Sequence, residues 1–286
     1  MHTERASSTG KNALGFEYEI SIYKPSSTGP PPSILAASCM QAHDIVVELV
    51  RRLGCRAYSV GYRLSPEHPF PAALRDSYSV LSWLHLQEPS PLASSSSSSA
   101  SSSGFILGGD SAGANLSLVL ALLAQRGVDA DLRDDSGAAG LYDRICHLAL
   151  LYPSLYEPQP QSLQMRYLMP RGIVDFFEAA YLGEDEQRRA ELKRDFRVAP
   201  LRSPSLLGMP PVTVLSAEYD ALRESNLLLV KKLREAGVDV THVDVAAAPH
   251  GFLTFPKFAA DAAKCKQALG EVQGSILKSI SSLSHT

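Results

Sequence analysis

Short apolar runs alternate with helical segments along most of this chain. Each run is short enough to be a buried strand, and the stretches between them carry apolar residues at helical spacing. The apolar runs cover residues 18–23, 34–37, 55–60, 105–107, 145–151, 212–217 and 238–245, and the helical stretches cover residues 42–53, 76–86, 112–125, 222–236 and 258–283. This alternation predicts an α/β fold with a mostly parallel sheet and helices on both faces.

The 286 residues fit one domain with an insertion. The chain is 45% hydrophobic and 20% charged, which is ordinary for a globular protein. We expect a single domain over residues 18–284, a flexible N-terminus over residues 1–17 and a helical cap inserted at about residues 153–200, where the alternation breaks. Consecutive serines at 94–99 predict a disordered surface loop over residues 89–104, because such a tract buries too little apolar surface.

The charge balance and the apolar content argue against several classes of partner. The formal net charge is −3 and no dense basic stretch is present, so nucleic acid is not an expected partner. No run reaches the roughly 18 apolar residues of a membrane span, and the first residues lack the apolar core of a signal peptide. We therefore expect a cytoplasmic protein. The four cysteines lie far apart, which indicates free thiols rather than a disulfide or zinc framework.

A Gly-x-Ser-x-Gly pattern occupies residues 109–113, directly after the apolar run 105–107 and before a helical stretch. A serine flanked by glycines in this way lies on a tight strand-to-helix turn, which projects its hydroxyl at the carboxyl edge of the sheet. The positive end of the following helix favours negative charge that develops beside the serine. The pattern therefore predicts that Ser111 is a nucleophile.

Two later residues follow strands at the same edge of the sheet. Asp220 comes shortly after the run 212–217, and His250 comes shortly after the run 238–245. A serine hydroxyl is a weak nucleophile, so it needs a base to take its proton and an acidic group to orient that base. We interpret Ser111, His250 and Asp220 as the nucleophile, the base and the orienting group.

Simpler interpretations of the same residues stay open. Asp220 also has the position of a helix N-cap, and His250, which precedes a glycine, has the position of a turn residue. The other histidines match the expected position of the base less well. Because no histidines or carboxylates have a ligand spacing such as His-x-x-x-His, we expect neither a metal site nor a cofactor.

Four motifs together resemble those of the hormone-sensitive lipase-like α/β-hydrolases. They are GDSAGAN at residues 109–115, YRLSPEHPFPAA at residues 62–73, DALRE at residues 220–224 and HGF at residues 250–252. The second motif is long and specific, and the matching segments cover most of residues 18–270. The resemblance implies an α/β-hydrolase fold and a carboxylic ester hydrolase with Ser111 as nucleophile, His250 as base and Asp220 as orienting group. Members of the family often form dimers, and a homodimer is expected on that ground alone.

The chain departs from this family at the oxyanion loop. The family has a His-Gly-Gly-Gly loop whose amides bind the oxyanion together with the amide that follows the serine. Here residues 34–44 contain no glycine and pass from a strand almost directly into a helix. The amide of Ala112 remains as one donor, and Ser38, Cys39 and Met40 are candidates for another. Loss of one donor lowers turnover on the order of 100- to 1,000-fold.

The expected function is hydrolysis of small to medium carboxylic esters through an acyl-serine intermediate, impaired by the missing loop. The alternative is a degenerate relative that binds a small molecule without turnover. The complete set of three triad candidates favours the first function, and the missing glycine loop favours the second. A third explanation of the short loop is that coding sequence is missing between residues 30 and 45.

Overall fold

The computed structural model describes residues 3–11, 17–25, 33–37, 43–87, 104–127, 140–157, 171–254 and 262–283, and an eight-stranded sheet lies at the centre of these segments. The strands are β1 (Thr3–Lys11), β2 (Glu17–Pro25), β3 (Ser33–Ala37), β4 (Arg56–Gly61), β5 (Phe105–Asp110), β6 (Ile145–Leu151), β7 (Val212–Tyr219) and β8 (Val240–Pro249). Their order across the sheet is β1-β2-β4-β3-β5-β6-β7-β8. The pairs β1-β2 and β2-β4 are antiparallel, and every other pair is parallel.

Helices cover both faces of this sheet. Those in the described segments are α1 (His43–Leu53), α2 (Ala72–Gln87), α3 (Ala112–Arg126), α4 (Arg171–Leu182), α5 (Glu186–Leu192), α6 (Arg223–Glu235) and α7 (Ala262–Leu283). Helices α2, α3 and α6 share one buried core with the sheet, and α1 and α7 share the other. Successive strand residues point to opposite faces, so Leu107 of β5 lies in the first core and Ile106 in the second. The predicted α/β fold with helices on both faces is confirmed.

None of the described helices combines the length and the apolar character that a membrane crossing requires. The longest of them, α7, packs its apolar side into the second core through residues such as Val272 and Ile276.

The segment predicted as a flexible N-terminus, residues 1–17, contains an edge strand that the sequence pattern did not predict. Residues Thr3–Lys11 form β1 and pair with β2 along its whole length, from Thr3 opposite Pro25 to Lys11 opposite Glu17. The exposed edge of a sheet offers backbone N–H and C=O groups that a neighbouring segment of almost any composition can pair with. Hydrophobic periodicity carries no signal for such pairing, which is why the sequence pattern missed β1.

Helices α4 and α5 lie between β6 and β7, within the segment predicted as a helical insertion at residues 153–200. Helix α4 contacts the loop that follows β4. The Phe70 N–H donates to the Tyr181 carbonyl at 2.8 Å, and the two rings meet edge to face with centroids 6.0 Å apart. The predicted serine-rich loop at residues 89–104 lies outside the described residues except for Gly104.

A buried ion pair anchors the same loop to α2. The Asp76 side chain is fully buried, and Arg63 is nearly so. The Asp76 carboxylate accepts from the Arg63 backbone N–H at 3.0 Å, from Nε at 2.9 Å and from Nη2 at 2.8 Å. A fork of this kind fixes the geometry of both side chains. The specific run at residues 62–73 therefore has a structural role in holding the loop between β4 and α2.

One extra residue interrupts the pairing of β5 with β6. Phe105 pairs with Ile145 and Ile106 pairs with His147, so Cys146 is inserted between the two pairs. The Cys146 thiol donates to the Phe105 carbonyl at 3.3 Å. This is a β-bulge, in which two residues of one strand oppose one residue of the next.

His147, the residue after this bulge, is fully buried under α7. Its two ring nitrogens contact hydroxyl oxygens, Nδ1 that of Ser279 and Nε2 that of Thr213, each at 2.9 Å. Burial lowers the pKa of His147 to about 4, because the charged imidazolium is excluded from water.

Candidate active site

Ser111 lies on the turn between β5 and α3 in a strained backbone conformation. Its φ of 53° and ψ of −113° are rare for any residue other than glycine. The Ser111 N–H donates to the Leu151 carbonyl at 2.9 Å, and the Ser111 carbonyl accepts from the N–H groups of Asn115 at 3.2 Å and Ser154 at 3.1 Å. Since both backbone groups are bound, the turn is held in place independently of the hydroxyl.

The Asn115 side chain also stabilises the turn that carries Ser111. Its amide nitrogen donates to the carbonyls of Ser154 at 2.6 Å and Val198 at 3.0 Å. These bonds connect α3 to the loop after β6 and to the segment after α5. The sequence pattern includes Asn115 in the GDSAGAN motif, but its positioning role appears only in three dimensions.

The structure brings Ser111, Asp220 and His250 together. The Nε2 atom of His250 lies 3.0 Å from the Ser111 Oγ, and its Nδ1 atom lies 2.7 Å from the Asp220 Oδ2. A carboxylate only accepts hydrogen bonds, so Nδ1 carries the proton and Nε2 offers its lone pair to the serine hydroxyl. The arrangement can therefore move the Ser111 proton to His250.

The two oxygens of Asp220 have different partners, and the N-cap of α6 is Leu222 rather than Asp220. The Asp220 Oδ1 accepts from the Leu222 N–H at 2.8 Å just before α6, and its Oδ2 binds His250. The carboxylate is fully buried, whereas 21% of the His250 side chain is exposed. The Asp220 carboxylate is therefore shielded from water, while the His250 ring is partly accessible from outside.

Tyr152 packs against His250 and was not anticipated from the sequence. Its ring meets the His250 ring edge to face, with centroids 5.1 Å apart. The Tyr152 hydroxyl contacts the Thr254 Oγ1 at 3.3 Å. The Thr254 hydroxyl in turn donates to the Asp110 Oδ2 at 3.4 Å. Burial raises the pKa of Tyr152 above its ordinary value, so the phenol stays neutral and acts by packing. The sequence contains one signal for Tyr152, its position directly after β6 at the carboxyl edge of the sheet.

The structure describes part of the predicted oxyanion site. Ala112 is the first residue of α3, and the first N–H groups of a helix have no partner within it. The other candidates, Ser38, Cys39 and Met40, lie outside the described residues. Strand β3 ends at Ala37 and α1 begins at His43, so only residues 38–42 connect the two elements.

A second group of serine, histidine and aspartate lies between β7 and β8. The Ser216 Oγ is 2.6 Å from the His242 Nε2 and 3.1 Å from the Asp244 Oδ1, and Arg223 pairs with Asp244 at 2.6 Å. The bond from Arg223 lowers the pKa of Asp244, and burial lowers that of His242. Ser216 is fully buried, so its hydroxyl cannot attack a substrate. Across the described segments, no group of three or more histidine, cysteine or acidic side chains is arranged to hold a metal ion.

Comparison with known families matches this architecture. The model of a family described as "alpha/beta hydrolase fold" matches residues 34–254, which is most of the chain. The chain belongs to this family. The resemblance to the hormone-sensitive lipase-like α/β-hydrolases and the α/β-hydrolase fold expected from it are thereby confirmed.

Relatives within this family include named esterases. The "Carboxylic ester hydrolase LipN" of Mycobacterium tuberculosis is 30% identical over 243 residues, which are 81% of this chain and 60% of LipN. The crystal structure of EstE1, a carboxylesterase cloned from a metagenomic library, is similar with a TM-score of 0.75 and 25% identity, covering 98% of this chain and 89% of EstE1. A fungal esterase from Rhizomucor miehei shares the fold with a TM-score of 0.80 at 22% identity, covering 99% of this chain and 85% of that one.

The chain spans less than two thirds of the length of two of its curated relatives. It spans 60% of the length of LipN and 62% of that of the "Carboxylesterase NlhH" of the same organism, to which it is 29% identical over 76% of its own length. Family membership therefore comes from the shared fold and motifs, and the activity of this chain has to be argued from its own site.

Proposed function

We propose that the chain is a serine hydrolase that cleaves small to medium carboxylic esters. The observation that carries the proposal is the continuous contact from the Ser111 Oγ through the His250 ring to the buried Asp220 carboxylate, with distances of 3.0 and 2.7 Å. The esterase names of LipN and EstE1 support the substrate class. In this proposal Ser111 is the nucleophile, His250 the base and Asp220 the orienting group.

The reaction proceeds in two halves. The Ser111 Oγ attacks the ester carbonyl carbon while its proton passes to the His250 Nε2, and His250 then gives this proton to the leaving alcohol as the ester C–O bond breaks. Water next attacks the acyl-serine, loses a proton to Nε2 and releases the acid, and the proton returns to Ser111. Throughout, Asp220 accepts the Nδ1–H bond and stabilises the imidazolium that forms twice in each cycle.

Stabilisation of the oxyanion sets the rate. The Ala112 amide follows the nucleophile at the start of α3 and is the donor that we assign first, with a second donor from Ser38 or Cys39. Without a glycine loop, the expected turnover is on the order of 100- to 1,000-fold below that of an enzyme with a complete oxyanion hole. An assay therefore needs high enzyme concentration and an activated ester.

The experiment compares wild-type protein with the Ser111→Ala variant on a short nitrophenyl ester. We expect wild-type protein to release nitrophenol above the background rate and the variant to show only background, with both proteins melting at similar temperatures. Equal rates for the two proteins would refute Ser111 as the nucleophile. A substitution of the exposed Ser281, Ser281→Ala, serves as the matched control and should retain activity.

A fluorophosphonate probe separates this function from the non-catalytic alternative. In the reaction, the oxygen of an activated serine displaces fluoride from the phosphorus and forms a phosphonate ester, so labelling of the wild-type protein at Ser111 supports the hydrolase. Folded protein that is not labelled supports a relative that binds a small molecule without turnover.

The single domain, the cap, the homodimer and the cytoplasmic location stay predictions from the sequence.

A further inference from the structure

Strands β7 and β8 lose their regular register just before the candidate catalytic residues. They pair residue by residue up to Ala217 opposite Val245, and the next pair is Tyr219 opposite Pro249. Between these pairs β7 advances by two residues and β8 by four. Strand β8 therefore carries two additional residues in a bulge at residues 246–248.

This bulge decides which residues meet at the ends of the two strands. Asp220 and His250 directly follow Tyr219 and Pro249, so the shifted register sets them side by side. In an uninterrupted register Asp220 would lie opposite Ala248. His250 would then be two residues further along, a displacement of about 6.6 Å at roughly 3.3 Å per residue. The 2.7 Å contact between the His250 Nδ1 and the Asp220 Oδ2 depends on the bulge.

Glu218 holds the centre of the bulge. It is the β7 residue between the two pairs, and its Oε2 accepts the Ala247 N–H at 2.7 Å. Ala247 has a φ of 54°, in the left-handed region that is unfavourable for an alanine. Such a conformation persists only where surrounding contacts fix it. The Glu218 carboxylate supplies one of these contacts at Ala247, which lies three residues before His250 in the sequence.

Other polar contacts surround the bulge. The Lys264 ammonium of α7 donates to the Ala246 carbonyl at 3.2 Å. At the start of α6, Arg223 pairs with Asp244 of β8 at 2.6 Å. The negative charge of Glu218 acts on the same Arg223 and contributes to raising its pKa. The bulge is therefore connected both to the C-terminal helix and to the start of α6, which follows Asp220.

We propose that Glu218 is a positioning residue for His250. By binding the Ala247 N–H, its carboxylate fixes the two-residue bulge of β8 and sets the His250 ring against Ser111 and Asp220. The proposal rests on the proposed hydrolase function for its kinetic consequences but not for its structural ones. Glu218 touches no reacting atom, so it acts on the chemical step only through the placement of the base.

The test compares the variants Glu218→Ala and Glu218→Gln with wild-type protein. A misplacement of about 1 Å costs up to about 100-fold in rate, so we expect kcat of Glu218→Ala to fall about 10- to 100-fold with KM within about twofold of wild type. Glu218→Gln keeps an acceptor oxygen, so we expect it to recover most of this loss. The matched control is Glu235→Ala, which removes the same charge from an exposed position on α6.

A proton NMR measurement supplies a readout that needs no turnover. An imidazole Nδ1–H donated to a buried carboxylate gives a strongly downfield resonance, which the Asp220→Asn variant assigns by its absence. We expect this resonance to be lost in Glu218→Ala and retained in Glu235→Ala and in Glu218→Gln. If Glu218→Ala fails to fold, Glu218→Gln decides, with an expected fall in kcat of about two- to fivefold at unchanged KM.

The possible results separate the two proposals. A folded Glu218→Ala variant with the resonance intact and kcat equal to that of Glu235→Ala would overturn the positioning role. In the fallback, a folded Glu218→Gln variant with wild-type kcat would do the same. Wild-type protein that hydrolyses no ester but shows the resonance, with its loss in Glu218→Ala, would overturn the proposed function and leave the positioning role standing.

Discussion

Removal of the Asp76 carboxylate is expected to be among the most destabilising single changes in the described part of the chain. In Asp76→Ala the Arg63 guanidinium loses the partner of its Nε and Nη2 groups, which lie 2.9 and 2.8 Å from the carboxylate, and the Arg63 backbone N–H loses its acceptor. Asp76 is fully buried and Arg63 is 13% exposed, so water cannot replace these bonds fully. Breaking one side of a buried pair costs about 3–5 kcal/mol, a large fraction of the roughly 5–15 kcal/mol that stabilises a typical domain.

Guanidinium chloride unfolding measures this loss as a shift of the midpoint at constant slope. We expect Asp76→Asn, which keeps one acceptor oxygen, to lose less than Asp76→Ala. The double variant Arg63→Met with Asp76→Leu should lose less than Asp76→Leu alone, because it removes both charges of the buried pair together. A loss under about 1 kcal/mol in Asp76→Ala, or additive losses in the double variant, would refute the reasoning.

Two further predictions concern titration and reactivity. The pKa of His147 is about 4 in the folded protein and near 6.5 when the chain is unfolded, so the unfolded state binds more protons below pH 6.5. The stability that this residue contributes is complete above pH 6.5 and falls by about 3 kcal/mol as the pH drops to 4, which unfolding at a series of pH values measures; a wild-type slope no steeper than that of His147→Gln would contradict it. Burial raises the pKa of Cys55 and Cys146 to about 12 each. Of the three cysteines in the described segments, we therefore expect iodoacetamide at pH 8 to modify Cys265 first and the other two only after unfolding, as followed by peptide mass spectrometry. Equal labelling rates for these three thiols in folded protein would contradict the assignment.

The sequence predicted the architecture of the sheet because buried strands and amphipathic helices leave different apolar periods. The apolar run 145–151 coincides with β6 (Ile145–Leu151), and the predicted helix 42–53 differs from α1 (His43–Leu53) by one residue. The prediction that Ser111, Asp220 and His250 share one edge followed from a general property of parallel strands, whose carboxyl ends emerge on the same side. Their contact distances required the structure.

The features that the sequence did not reveal depend on backbone pairing rather than on side-chain burial. Strand β1 pairs along an edge and carries no alternating apolar pattern. The bulge of β8 lies in an alanine-rich stretch, residues 246–248, in which no residue type signals a change of register. The contact of Tyr152 with His250 joins residues 98 positions apart, a separation at which local patterns are silent.

The bulge at Cys146 determines which side chains of β6 lie on each face of the central sheet. Cys146 and the following His147 are consecutive, yet both lie on the side of α7, and from Leu148 onward the alternation of β6 resumes with the opposite phase. Because side chains alternate with a period of two, a deletion of one residue further along β6 would exchange its two faces, turning leucines that pack under α3 towards α7. A deletion of Cys146 itself would only restore regular pairing. We therefore expect β6 to tolerate the deletion of Cys146 better than the deletion of a residue further along the strand.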